Sequence, residues 1–71
     1  MPTLKLLVSG MRDETDERRV ESALVAHPGV YGAVASHLTG CVEIDFEDDE
    51  VAIDSLVATT RAAGFDAALG G

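Results

Sequence analysis

The apolar residues of this chain switch repeatedly between a spacing of two and a helical spacing, and that alternation leaves few ways to fold it. Leu4, Leu6 and Val8 alternate with Lys5, Leu7 and Ser9, so residues 3–9 read as a half-buried strand that ends at Gly10. Asp13 is a good helix N-cap, and Asp16, three positions on, resembles a capping box. Glu14, Asp16 and Glu17 fill the first turn, where acids oppose the positive end of the helix dipole. Val20, Ala23 and Leu24 then recur at helical spacing, and Pro28-Gly29 stops the helix near Ala26. His27 is expected to be a helix C-terminal residue favoured by the dipole. Residues 30–37 read as a second strand, with Ala33, Ala35 and His37 on one parity. After a Thr39-Gly40 turn, Val42, Ile44 and Phe46 alternate with Cys41, Glu43 and Asp45, which completes a hairpin. Asp48-Asp49-Glu50 are expected to open a second helix whose inner stripe is Ile53, Leu56, Val57, Thr60 and Ala63. Gly64 ends that helix, residues 65–69 suffice for a short last strand, and Gly70-Gly71 reads as a frayed tail.

The resulting order is βαββαβ. It is the α+β, ferredoxin-like plan: a four-stranded antiparallel sheet with two helices on one face. No linker, low-complexity stretch or internal repeat interrupts it, so residues 1–71 are expected to form a single domain. A chain this short buries only roughly 60% of the surface its unfolded form exposes, and one cysteine permits no internal disulfide. The lone Cys41 and the lack of a signal-peptide pattern point to the cytoplasm. No apolar run approaches the roughly 18 residues that span a bilayer, so membrane insertion is not expected. A formal net charge of −8 opposes contact with nucleic acid phosphates and anionic membranes. It suits a basic protein partner, a bound cation or plain solubility.

Five segments, in order and with matching spacing, carry a resemblance. They are Leu6-x-Val8-x-Gly10-Met11, Val20-Glu21-x-Ala23-Leu24, Pro28-Gly29-Val30, Thr39-Gly40-x-Val42-x-Ile44 and Ala63-Gly64-Phe65-Asp66-Ala67. Together they resemble the heavy-metal-associated, copper-chaperone-type domain family over nearly the whole chain. The resemblance implies a βαββαβ domain that carries Cu(I), or sometimes Zn(II) or Cd(II), on a Gly-Met-x-Cys-x-x-Cys loop. It also implies that Met11 tucks into the core, that Phe65 packs beside the loop, and that the partner is a metal-transport ATPase or a related metal-handling protein. At the two positions where the family pattern has cysteine, this chain has Asp13 and Asp16.

That departure bears on the chemistry. Soft thiolates select Cu(I), whereas carboxylates are hard ligands that bind it poorly. Asp13, Glu14, Asp16 and Glu17 admit two readings. One is a weak site for a harder divalent cation, with Asp13 and Asp16 at the family's ligand positions. The other is helix capping, which accounts for the residue types without any metal. His37 and Cys41 flank the hairpin turn, expected at the same end of the sheet as Asp13, and are further candidate metal ligands. Against a composite site, the parity of Cys41 points it away from the helices, and His37 on the core parity also reads as a partly buried spacer.

Two surfaces remain. Seven acids and no base lie between Glu43 and Asp54, near both termini and opposite the loop. They read either as a docking patch for a basic partner or as a solvated turn. Leu7, Tyr31 and Val34 are expected on the open face of the sheet, a candidate surface for a weak homodimer. No nucleophile–base pair or phosphate loop is present, so enzymatic activity is not expected. The functional expectation is a domain of metal-ion homeostasis that has lost its thiolate site. The alternative is a docking or regulatory module that uses its acidic surface.

Overall fold

The computed structural model describes residues 3–47, 49 and 51–69. Along the chain run β1 (Thr3–Ser9), α1 (Glu14–Val25), β2 (Val30–Ser36), β3 (Cys41–Phe46), α2 (Ile53–Ala62) and β4 (Asp66–Leu69). The strands form one antiparallel sheet in the order β2-β3-β1-β4, so β1 and β3 are central and β2 and β4 are edges. This is the βαββαβ, ferredoxin-like fold expected from the periodicity.

The alternation in β1 and β3 determines what is buried. Leu6 and Val8 from β1 and Val42, Ile44 and Phe46 from β3 face the helices, while Lys5, Leu7, Glu43 and Asp45 face out. Val20 and Leu24 of α1 and Leu56 and Thr60 of α2 close over that face. Each fully buried aliphatic side chain contributes about 1.5–3 kcal/mol, so this cluster holds the sheet and helices together. The buried Thr60 is satisfied within its own helix, its Oγ1 donating to the Leu56 carbonyl at 3.0 Å.

β2 keeps both Val30 and the Ala33/Ala35 pair on the core side although their parities differ. A register shift between Val30 and Gly32 accounts for this: Val30 lies opposite Phe46 and Gly32 opposite Asp45, so Tyr31 is the extra residue of a bulge. Tyr31 and Val34 are exposed, as is Leu7.

The start of α2 differs from the expectation. Asp48 and Glu50, read as part of the helix N-terminus, lie outside the described residues, as does the Gly70-Gly71 tail. The helix itself begins only at Ile53, after the extended N-cap Ala52 (φ −84°, ψ 142°), with Asp54 its single first-turn acid. The physical reason lies in phase. At about 100° per residue, Val51 in a continuous helix would point roughly 140° away from Leu56. Burying both requires the helix to begin after Val51, which is only 5% exposed. Ile53, placed on the inner stripe from the sequence, is 39% exposed. A helical side chain leans toward the turn before it, and Ile53 is the first residue of the helix, with no such turn to cover.

α1 ends as the sequence implies, at Val25 with Ala26 as C-cap, whose N–H donates to the Ser22 carbonyl at 3.1 Å. His27 lies beyond that cap rather than in the last turn, and its Nδ1 is 2.8 Å from the Pro28 carbonyl oxygen.

Candidate functional site

The loop between β1 and α1 hangs from a central strand. Gly10 turns it out of the sheet at φ 101°, a conformation that side-chain-bearing residues rarely adopt. A Cβ at this position would lie 3.5 Å from the Phe65 ring, so the backbone passes close to the aromatic side chain. Met11 is half-buried and packs on the core, while Arg12 and Asp13 are exposed. Phe65, only 7% exposed, closes the loop from the β4 side, with the Arg19 guanidinium 5.9 Å above its ring centroid. Ser9, Gly10, Arg61, Gly64, Phe65 and Asp66 surround an open cleft of about 450 Å³.

Asp13 and Asp16 are brought together at the start of α1. The Asp13 side chain caps the helix, its Oδ1 accepting from the Asp16 N–H at 3.1 Å. Asp16 returns the bond one residue further out, its Oδ2 accepting from the Arg12 N–H at 2.9 Å. A capping box in its usual form reaches the N-cap amide itself; here the return bond lands on the residue before it. Each carboxylate thus commits one oxygen to the backbone. From Arg12 to Arg19 four acids face three arginines, so the loop and first helical turns carry one net negative charge.

His37 and Cys41 are at the same end of the sheet but do not join them. The Val8 N–H donates to the Gly40 carbonyl at 2.7 Å, which ties the hairpin turn to the end of β1. His37 is engaged by α1: its backbone N–H and its Nδ1–H both donate to Glu17 Oε2, each at 2.6 Å. The backbone N–H of His37 holds the Glu17 carboxyl below its ordinary value of 4.5, and the ring bond adds to the effect. Cys41 is on the face away from the helices, opposite Leu7, with its Sγ donating to the Thr39 carbonyl at 3.5 Å. Among the described residues, no three His, Cys, Asp or Glu side chains converge as a metal-ligand set.

Sequence reasoning did not find the Glu17–His37 clamp or the Arg19–Phe65 stack. The partners are 20 and 46 residues apart, and no local pattern marks them. The one available signal was the four-residue spacing of Glu17 and Glu21, which puts both carboxylates on one face of α1.

Comparison with known proteins gives the fold its lineage. The heavy-metal-associated domain family model matches residues 5–66. No curated protein matches the chain. Among solved structures, the copper-binding domain of HMA7, a P-type ATPase, superposes with a TM-score of 0.96 at 25% identity, covering 100% of this chain and 96% of that one. The CopZ metallochaperone gives 0.91 at 28% identity, covering 94% and 100%. The yeast copper transporter domain Ccc2a, solved in apo and Cu(I) states, gives 0.88 at 25% identity, covering 97% and 94%. With residues 5–66 of its 71 matched by the family's pattern and the fold reproduced, the chain belongs to the heavy-metal-associated domain family.

Proposed function

We propose that this heavy-metal-associated domain serves metal-ion homeostasis without a soft-metal site on its loop. Asp13 and Asp16 stand where the family carries its two cysteines, and they retain at most weak binding of a divalent cation. The observation that carries this reading is the double use of the two carboxylates, each of which bonds a backbone N–H of the helix start. Their chemistry agrees. Hard oxygen donors do not select Cu(I), and the only cysteine of the chain, Cys41, lies on the other face of the sheet. Thiolate exchange of copper between proteins therefore has no route through this loop. In this reading the 71 residues are one cytoplasmic, non-enzymatic domain that works beside a metal-transport ATPase or a related metal-handling protein. The likeness to CopZ and to the P-type ATPase domain supports that partnership.

Native mass spectrometry of the reduced protein, titrated in turn with Cu(I), Zn(II), Mn(II), Ca(II) and Mg(II), tests the reading. The natural chain is expected to take no stoichiometric Cu(I), and the Asp13→Cys/Asp16→Cys variant to take one equivalent. A tight one-to-one Cu(I) adduct of the natural chain would overturn the proposal. A stoichiometric divalent adduct that Asp13→Ala abolishes would instead establish a site re-tuned to harder ions.

A second reading is favoured by the exposure of Glu43, Asp45, Asp49 and Asp54 in the acidic stretch opposite the loop. It is a docking or regulatory module for a basic partner surface. Binding to such a partner that weakens as salt is raised, with no cation bound, is the outcome that selects it.

A further inference from the structure

We propose that Glu17 and Glu21 close the outer edge of β2 against the addition of a strand from a second copy of this chain. An edge strand presents a row of unpaired amides and carbonyls, which other chains can use as a pairing template. In β2 the pairing with β3 alternates, so the N–H groups of Ala33 and Ala35 point outward, and that of His37, one residue past the strand, continues the row. Two of these three are occupied from α1. The Ala35 N–H donates to Glu21 Oε2 at 2.8 Å, and the His37 N–H donates to Glu17 Oε2 at 2.6 Å.

The fit follows from the two repeats. Residues four apart on a helix rise about 6 Å. Outward amides two apart on a strand are spaced about 6.7 Å. Because α1 runs antiparallel to β2, Glu17 reaches position 37 and Glu21 reaches position 35. The next residue in the same row of α1 is Val25, beside Ala33, and a valine has nothing to accept with. Among the described residues no side chain accepts from the Ala33 N–H, and the edge there borders a cleft of about 530 Å³ lined by Glu21, Ser22, Val25, Ala26 and Ala33. The His37 ring places a second donor on the Glu17 oxygen that already takes its amide, and so positions that carboxylate.

A carboxylate here does more than fill a donor. It holds negative charge where the carbonyl of an incoming strand would have to sit, so it opposes pairing as well as replacing it. Two copies meeting edge to edge would pair β2 with β2 about a two-fold axis, each copy meeting the other's carboxylates.

Amide hydrogen exchange and sedimentation together test this. In the natural chain, Ala35 and His37 are expected to exchange at least about tenfold more slowly than Ala33 after correction for intrinsic rates, the factor one charge-assisted hydrogen bond supports. Glu17→Ala/Glu21→Ala should bring all three amides to similar rates and produce a concentration-dependent dimer. Glu17→Gln/Glu21→Gln keeps an acceptor at each position and should remain monomeric. His37→Ala should speed exchange at position 37 and leave Ala35 unchanged. Equal exchange at the three amides of the natural chain would overturn the proposal. So would a folded alanine double variant that stays monomeric at its highest soluble concentration. If that variant does not fold, Glu21→Ala alone, which keeps the Glu17–His37 contact, takes its place in both measurements.

Discussion

Asp13 shows how much one side chain can fix at a helix start. It is the N-cap of α1, with extended backbone (φ −155°, ψ −176°) and a carboxylate that accepts from the Asp16 N–H. Removing the cap by Asp13→Ala is expected to cost about 0.5–2 kcal/mol, and Asp13→Asn far less, as read from chemical denaturation. Glu17 adds a pH dependence. Its carboxyl is held below 4.5 in the folded chain, first by the His37 amide and then by the His37 ring. The unfolded chain therefore takes up that proton more readily than the folded one. The stabilisation is fully present above the ordinary value of 4.5 and is lost as pH falls through the lower, folded value. Below pH 4.5 the natural chain's melting temperature should fall more steeply than that of Glu17→Gln.

At the scale of elements, β1, β3 and α1 were legible because one physical signal defines each. β1 and β3 alternate cleanly, and α1 has an N-cap at one end and Pro28-Gly29 at the other. α2 was less legible because two signals conflict at its start. The acids before it suggest an early helix, whereas the need to bury both Val51 and Leu56 enforces a late one. Tertiary packing settles that conflict, and local charge has no access to it. A paired substitution checks the account. Val51→Ala should destabilise the fold by about 1.5 kcal/mol or more. Ile53→Ala, although it removes a larger side chain, should fall within about 1 kcal/mol of the natural chain. The bulge at Tyr31 escaped the sequence for a similar reason, since an unbroken register would put Val30 and Ala33 on opposite faces and only packing brings both to the core side.

For the whole molecule, a chain of this size has a total stability on the order of 4–10 kcal/mol. Leu56→Ala, at a site with no exposure, should cost about 2–5 kcal/mol and leave a measurable unfolded fraction near 37 °C by circular dichroism. At this scale the candidate site was half legible. Asp13 and Asp16 could be placed by their spacing alone, whereas His37 meets Glu17 only because α1 folds back along β2. The strand order has a mechanical consequence as well. β1 and β4 are antiparallel neighbours, with Leu6 opposite Leu69 and Ser9 opposite Asp66. Tension applied between Leu6 and Leu69 would load their own rung first and peel β4 away one rung at a time, as a zip opens. The ladder would yield at low force from the end remote from the loop, with the rung beside Gly10 the last to part.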